Sequence, residues 1–260
     1  MGKALSTVGT TLKYATAPDI YSFSELVKIK EYPDMGGAPE MLESTDLQDS
    51  TETHVLGVQS NPGLEFLSNY TESQFLSAVV NARENLYYRV DIEDEDGLFF
   101  VPGQHESWVV GAGVNALRDF RTMIAPKGKI ETWLANIVDN GTFEEGLDDW
   151  TSTNGTLDTA VSKIGDNSVN FAESGSITQS IIGNASYKYR IGLWFRRSGT
   201  ATLKIDLGSE TLFDQSDLPS GEWVYVELKD IEFSGTETLS IEVLGTGGVN
   251  IDGISVIEYV

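Results

Sequence analysis

Apolar and polar residues alternate along most of the chain in short runs that predict β-strands. In residues 139–260 no helical period occurs, and glycine, serine, asparagine and aspartate separate the runs. Short strands divided by regular turns are typical of a β-sandwich or jelly roll. The predicted strands of this half are 168–172, 176–182, 187–197, 201–207, 223–228, 238–244 and 249–258.

One helix is predicted in the first half, over about 72–84. Thr71 can cap it, and Gln74 stands three residues later, as in a capping box. Four apolar residues fall on one face of this helix, which we expect to be its buried face: Phe75, Leu76, Val79 and Val80.

The rest of the first half predicts strands and one long loop. The runs "YSFSELVKIKEY", "HVLGV" and "LEFLS" read as strands, and Asp96-Gly97 predicts a hairpin turn. Two further strands are expected around the glycine-rich bend of "ESWVVGAGVNALRDFRTMIAP". Residues 34–53 are rich in proline, glycine, acids and hydroxyls, and predict a long loop of the kind that is either functional or disordered.

The stretch "NGTFEEGLDDW", residues 140–150, is typical of the beginning of a β-sandwich module. It predicts a first strand, a tight turn and an aromatic side chain, Trp150, that fills the core. We therefore expect two domains, residues 1–138 and 139–260.

Charge and composition narrow the classes of function. The formal net charge of the 260 residues is −23, with −10 in residues 1–138 and −13 in residues 139–260, and cysteine is absent. So acidic a surface repels phosphate backbones and excludes ordinary nucleic-acid binding. No apolar stretch approaches the roughly 18 residues of a membrane span, so membrane insertion is not expected.

No common catalytic motif occurs in the sequence. The two histidines, His54 and His105, have no motif around them and are interpreted as surface or structural residues. A nucleophile elbow, a P-loop and a dinucleotide-binding fingerprint are all lacking. We therefore expect a protein that is not an enzyme, with no catalytic residue.

The first half resembles the major tail tube protein of long-tailed, siphovirus-type bacteriophages. The resemblance covers about residues 4–135 and rests on "STVGTTLKYAT", "YSFSELVKIKEYPDMG", the acidic loop and "SWVVGAGVNALRDFRTMIAPKGKIE". It implies a β-sandwich or barrel with one flanking helix. Six copies would form a ring, and rings would stack into a tube whose acidic lumen conducts DNA during ejection.

The same resemblance implies partners and a location. The partners would be other copies of the chain, the tape measure protein and the tail terminator, with DNA passing without sequence-specific binding. The chain would assemble in the host cytoplasm and reside in the virion tail. The second domain would be an outward-facing decoration, with a cell-surface glycan as its expected partner.

The second half resembles galactose-binding-like jelly rolls, in particular the family 4/9 carbohydrate-binding modules. The matching pieces are "NGTFEEGLDDW" and "VNIDGISVIEY". The resemblance implies a structural calcium ion where the chain ends of the module meet, held by Thr142, Glu144 and Asp252. Oxygen ligands of this kind suit Ca²⁺. The alternative interpretation is that these acids are simply solvated at a turn.

A carbohydrate site is expected on one face of the predicted strand "YKYRIGLWFRR". If its alternate residues from Tyr189 to Phe195 face the core, then Arg190, Trp194 and Arg196 share the other face. Trp194 would be the platform for a sugar ring, or it packs under a loop. The rival to the tail tube hypothesis is thus a non-catalytic polysaccharide-binding protein whose first half is a β scaffold.

Overall fold

The computed structural model describes residues 9–46, 50–59, 61–92 and 98–260. The chain divides into two compact units. The first unit contains Met1–Thr16 and Phe23–Thr132, and the second contains Ala17–Ser22 and Trp133–Val260. The expected division after residue 138 lies inside the second unit, and the sequence pattern did not indicate that residues 17–22 belong to it.

The first nine strands of the chain are β1 (Thr11–Ala15), β2 (Ser24–Lys28), β3 (Pro39–Glu43), β4 (His54–Gln59), β5 (Leu64–Asn69), β6 (Leu86–Asp91), β7 (Leu98–Val109), β8 (Asp119–Pro126) and β9 (Glu131–Asn136). The first unit is built on one antiparallel sheet with the strand order β2-β1-β6-β7-β8-β5. Strand β9 has residues in both units.

The sheet of the first unit curls until its ends meet. The Lys30 amide donates to the Leu67 carbonyl at 2.7 Å, and the Leu67 amide donates to the Glu31 carbonyl at 3.0 Å. These bonds join the chain just beyond β2 to β5 and enclose a core that includes Phe66, Tyr88 and Phe120. The expectation of a barrel-like domain with one flanking helix agrees with this architecture.

The helix α1 (Glu72–Val80) is shorter than predicted. The Gln74 amide donates to Thr71 Oγ1 at 3.3 Å, which confirms the predicted cap. Past Val80 the chain turns and Arg83 adopts a positive φ of 68°, so the helix cannot reach residue 84. The predicted apolar face was wrong for Leu76 and Val80, which are exposed, whereas Phe75 packs against the core as predicted and Ala78 is the buried residue of the helix.

A two-stranded hairpin of β3 and β4 replaces much of the predicted long loop. Leu42 pairs with Val55 and Glu43 with His54. Residues 34–53 therefore contain a strand, although their composition is typical of a loop. Residues 47–49 of this segment and the predicted turn at Asp96-Gly97 lie outside the described residues. No helix of the described chain is long and apolar enough to cross a membrane.

The second unit is an antiparallel β-sandwich. Its strands are β10 (Thr151–Asp158), β11 (Ser168–Gly183), β12 (Lys188–Arg197), β13 (Thr202–Leu207), β14 (Glu210–Gln215), β15 (Trp223–Ile231), β16 (Gly235–Leu244) and β17 (Val249–Tyr259). One sheet contains part of β10 and β11 with β17, β12 and β15, and the other contains the rest of β10 and β11 with β16, β13 and β14.

Two details of this sandwich differ from the predicted strands. The segments 168–172 and 176–182 are one strand of 16 residues, β11, which contributes to both sheets. The strands β10 and β14 were not predicted, because β10 in particular, "TSTNGTLD", is almost wholly polar and shows no apolar alternation. Its backbone pairing with β11, rather than its side chains, makes it a strand.

The stretch 140–150 forms a series of turns and not the predicted first strand. Phe143 adopts a positive φ of 59° and is fully buried. Trp150 is buried as predicted, and its indole N–H donates to the Asn140 carbonyl at 3.1 Å. Both aromatic side chains thus anchor the turns in the core, which includes Phe171, Phe195 and Ile251.

Candidate functional site

A β-bulge at Gly253 shapes the outer face of the sheet that contains β12, β15 and β17. Between the pairs Gly192–Ser255 and Trp194–Asp252, strand β17 has one residue more than β12. Gly253 has a φ of +58°, and a Cβ atom there would lie 3.1 Å from Trp194 Cδ1. A glycine is therefore required at this position.

Asp252, beside the bulge, is fully buried and accepts hydrogen bonds from backbone amides. Its Oδ2 accepts from Lys163 at 2.7 Å and Ile164 at 2.8 Å, and its Oδ1 accepts from Gly253 at 2.6 Å. Burial raises the pKa of this carboxyl group to about 6, and the nearby charge of Glu144 contributes in the same direction, although the amide donors oppose the shift.

The predicted calcium ligands lie near one another at the start of the second unit and on β17. Glu144 Oε1 accepts from the amides of Asp166 and Asn167 at 3.0 Å each. The amide of Ile254 donates to the Gly141 carbonyl at 2.9 Å, so the chain next to Thr142 contacts the terminal strand. Two carboxylates whose charges repel suit a hard cation. Among the described residues no cluster of three or more histidine, cysteine or acidic side chains occurs, and the calcium site stays a prediction.

Trp194 is covered, so it offers no platform to a sugar ring in this structure. Only 9% of the residue is exposed. Its indole N–H donates to Asp19 Oδ2 at 2.7 Å, Lys163 Nζ lies 4.2 Å from the ring centroid, and the Tyr225 ring centroid is 5.1 Å away. The sequence left open whether Trp194 is a platform for a sugar ring or packs under a loop. In the structure it packs under another segment of the chain.

Arg190 is also unavailable to a ligand. It is 1% exposed, forms an ion pair with Glu227, and its guanidinium lies over the rings of Trp133 and Tyr259 at 5.3 and 5.7 Å. The four alternate residues from Tyr189 to Phe195 do face the core as predicted. Arg190, Trp194 and Arg196 nevertheless do not form one open site, because only Arg196 lines an open pocket.

This pocket has a volume of about 260 Å³ and lies on the second unit. Asn170 pairs with Asn250 across β11 and β17, and Asn250 pairs with Arg196 across β17 and β12. Cross-strand partners lie on the same face of a sheet, so these three side chains form a row. The lining residues are Asp158, Val161, Asn170, Arg196, Arg197, Ser198, Gly221, Gly248 and Asn250.

Hydrogen bonds hold the polar side chains of the pocket in place. Asn250 Nδ2 donates to Asp158 Oδ2 at 2.9 Å and to Ser168 Oγ at 3.0 Å, while Asn170 Nδ2 donates to Asn250 Oδ1 at 3.4 Å. Hydrogen bonds from the Ala160 amide and the Asn250 side chain lower the pKa of Asp158, as does the charge of Arg196. At neutral pH the pocket thus presents a carboxylate, two amides and a guanidinium.

The sequence-based candidates did not include Asp158, Asn170 or Asn250. A usable pattern was present, because Asn170 and Asn250 stand between apolar residues in "SVNFA" and "VNIDG". Asparagine is depleted in β-strands. An asparagine on the outward face of a strand whose other face is buried is therefore not explained by core packing, and it marks a candidate site residue.

His105 is a structural residue, as the sequence indicated. It is 2% exposed, its Nε2 lies 2.7 Å from the Ala78 carbonyl, and its Nδ1 lies 2.7 Å from the Tyr88 hydroxyl. Burial lowers the pKa of the imidazole. In the neutral ring Nε2 therefore donates to Ala78 and Nδ1 accepts from Tyr88, which leaves neither nitrogen for catalysis.

Comparison with known proteins adds structural similarities only. No protein-family model matches the chain, and no curated protein sequence matches it either. A solved structure of TmCBM61 in complex with beta-1,4-galactotriose is 20% identical, covers 47% of this chain and 97% of its own, and has a TM-score of 0.42. The CBM22-1 xylan-binding domain from Paenibacillus barcinonensis Xyn10C is 16% identical over 48% of this chain and 94% of its own, with a TM-score of 0.39.

A third similarity is to tailspike protein 4 of Bacteriophage CBA120, in its enzymatically active domain. It is 19% identical, covers 46% of this chain and 21% of the tailspike chain, and has a TM-score of 0.38. At these identities and scores, the similarities do not establish a ligand or a role for this chain.

Proposed function

We propose that the second unit is a non-catalytic glycan-binding module whose site is the open pocket around Arg196. The observation that carries this proposal is the row formed by Asn170, Asn250 and Arg196, with Asp158 beside it. An amide both donates and accepts, a guanidinium only donates, and a carboxylate accepts from hydroxyl groups. Neighbouring hydroxyls of a sugar ring match such a row.

The charges of the pocket favour a neutral glycan. The positive charge of Arg196 lies close enough to Asp158 to lower the pKa of that carboxyl group. Residues 139–260 carry a formal charge of −13, which repels a polyanionic chain. A neutral polysaccharide avoids this repulsion.

The test is a glycan array of the full chain, followed by titration calorimetry with the best oligosaccharide. Arg196→Ala should weaken binding by about tenfold or more, because a hydrogen bond to a charged group contributes about 1.5–3 kcal/mol. Asn250→Ala should weaken it by about two- to tenfold, because a hydrogen bond to a neutral group contributes about 0.5–1.5 kcal/mol. Lys204→Ala is the control, since Lys204 lies in the other sheet of the unit and pairs with Asp206. Unchanged affinity in both pocket variants would contradict the proposal.

We also propose that a structural calcium ion is bound by Thr142, Glu144 and Asp252. The support is the convergence of two carboxylates, one of them fully buried, where the start of the second unit contacts β17. A divalent cation would offset the cost of keeping Asp252 ionised.

A second candidate function concerns the first unit, for which we propose self-association into a bacteriophage tail tube. The supporting observation is the hairpin of β3 and β4, since two strands alone are marginally stable in water. This hairpin exposes a set of apolar side chains that a further copy of the chain would cover: Met41, Leu42, Val55, Leu56 and Val58.

In that role the chain would form stacked hexameric rings in the virion tail, with the tape measure and tail terminator as neighbours. Negative-stain microscopy of the purified full chain tests this candidate. Rings or tubes about ten nanometres across are expected, and uniformly monomeric particles at high protein concentration would contradict it. Glycan binding by the second unit does not depend on this outcome.

A further inference from the structure

The residues Ala17–Ser22 fill a groove on the outer face of the second unit. They lie between β1 and β2 in sequence, yet they belong to the second unit. Pro18 and Asp19 are buried, and Asp19 is fully so. A short segment without secondary structure that is this deeply buried must be held by specific hydrogen bonds.

The Asp19 carboxylate is bound by three donors. Its Oδ2 accepts from the Trp194 indole N–H at 2.7 Å and from the Ser22 hydroxyl at 2.5 Å, and its Oδ1 accepts from the Tyr21 amide at 3.0 Å. The bond from Trp194 spans 175 positions in sequence. Removal of Asp19 would leave a buried indole N–H without its partner.

Two tyrosine hydroxyls anchor the segment, one on either side of Asp19. The Tyr225 hydroxyl donates to the Pro18 carbonyl at 3.1 Å. The Tyr21 hydroxyl donates to the Ile254 carbonyl at 3.1 Å and accepts from Asn136 Nδ2 at 3.0 Å. Burial raises the pKa of Tyr21 to about 12 and raises the pKa of Tyr225 as well, so both phenols remain donors at neutral pH.

Glycines make room for these two tyrosine side chains. A Cβ atom at Gly192 would lie 2.0 Å from the Tyr225 hydroxyl oxygen, and a Cβ atom at Gly141 would lie 3.0 Å from the Tyr21 hydroxyl oxygen. Gly141 is also held close to Ile254, because its own Cβ would lie 1.9 Å from the Ile254 carbonyl oxygen. The groove thus offers the segment an indole N–H that binds the Asp19 carboxylate, the Tyr225 phenol as a donor to the Pro18 carbonyl, and the Ile254 carbonyl as an acceptor for the Tyr21 phenol.

We propose that this groove is a peptide-binding site for a Pro-Asp-x-Tyr segment, and that residues 17–22 of the same chain are its resident ligand. The indole N–H of Trp194 selects the aspartate, the Tyr225 hydroxyl selects the preceding carbonyl, and the Ile254 carbonyl selects the phenol. The segment also covers Trp194, which directs glycan contacts to the pocket around Arg196.

The test uses the full chain with Asp19→Ala and Tyr21→Ala, which removes the two side chains that the groove binds and changes none of the residues that line it. A fluorescein-labelled peptide of residues 16–23 should bind this variant in an anisotropy titration. The peptide carrying Asp19→Asn should bind about tenfold or more weakly, because it lacks the charge that Trp194 recognises. The unsubstituted chain should not bind, since its own segment is present at an effective concentration in the millimolar range. A folded variant that does not bind the peptide overturns the proposal.

A second measurement decides the matter if the variant does not fold. Hydrogen exchange of residues 17–22 should become at least tenfold faster in Trp194→Phe, which lacks the indole N–H. Trp108→Phe is the matched control, because Trp108 lies on β7 and is 38% exposed. Equal protection of the segment in the two variants would overturn the proposal.

Discussion

Asp252 and Asn250 lie two residues apart on β17, but the sequence identified only Asp252 as a candidate site residue. The resemblance to carbohydrate-binding modules indicated Asp252, and the structure buries it beside Glu144. Asn250 was not a candidate, although it holds Asp158 and pairs with Arg196. Trp194 was predicted as a possible platform because the alternation of apolar and polar residues shows which face of a strand a side chain lies on. It does not show which other segment covers that face.

The stability of the second unit should depend on the ionisation of Asp252. Burial raises its pKa to about 6 from about 3.9 in the unfolded chain, so folding favours the protonated form. The free energy of unfolding should therefore rise as the pH falls through 6 and level off below about 4, by roughly 3 kcal/mol in total. Calcium should raise the melting temperature more at pH 7.5 than at pH 5, because the metal binds the carboxylate.

Calorimetry of the full chain with and without a chelator measures both effects. Asp252→Asn should remove the rise near pH 6 and the response to calcium, whereas Asp217→Asn, at an exposed acid of the same unit, should keep both. A calcium response that survives Asp252→Asn would place the ion elsewhere. The absence of any response in the unsubstituted chain would rule out the calcium site.

Strands with apolar alternation were predictable, and strands held by backbone pairing alone were not. The central strands β12 and β17 appear in the sequence as apolar runs because both pack on the core. The polar strand β10 and the hairpin strand β3 lack that pattern and form through pairing with β11 and β4. Helix α1 is shorter than predicted because residues 81–84 adopt turn conformations. The spacing of apolar residues in the sequence does not indicate these turns.

The hairpin of β3 and β4 should carry self-association of the chain. Leu56 and Val58 are 73% and 84% exposed, and burial of such a side chain at an interface contributes about 1.5–3 kcal/mol. Leu56→Ser with Val58→Ser should weaken association at least tenfold in analytical ultracentrifugation and remove rings or tubes from micrographs.

Leu76→Ser with Val80→Ser is the matched control, because these side chains are 51% and 74% exposed on α1. This control should assemble like the unsubstituted chain. Normal assembly of the hairpin variant, with its circular dichroism unchanged, would show that another surface forms the contact.

At the scale of the whole molecule, the sequence indicated a mainly β protein in two parts, and the structure agrees with the mainly β class. The 17–22 segment could not be predicted as part of the second unit. Its partners Trp194, Tyr225 and Ile254 lie 175, 207 and 233 positions away. Periodicity describes a residue relative to its neighbours in sequence, so it contains no information about such a distant contact.

The burial of Trp133 predicts where a stable fragment of the second unit must begin. This residue is 1% exposed and lies beneath the Arg190 guanidinium. A fragment of residues 139–260 should therefore be less stable than one of residues 133–260 by about 3–5 kcal/mol, the usual cost of deleting a buried tryptophan side chain. Urea unfolding of the two fragments measures the difference.

Both fragments lack residues 17–22, so that loss cancels in the comparison. The longer fragment with Trp133→Ala should approach the stability of the shorter one. Equal stability of the unsubstituted fragments would mean that residues 133–138 are not part of the unit's core.

The most direct test of the account is hydrogen exchange of the full chain with and without the oligosaccharide selected on the array. Saturating ligand should slow exchange in the backbone that lines the pocket, at residues 158–161, 196–198 and 248–250, and leave the segment 17–22 unchanged. Protection confined to the outer face of the other sheet, around Lys204 and Ser240 on β13 and β16, would contradict the proposed site.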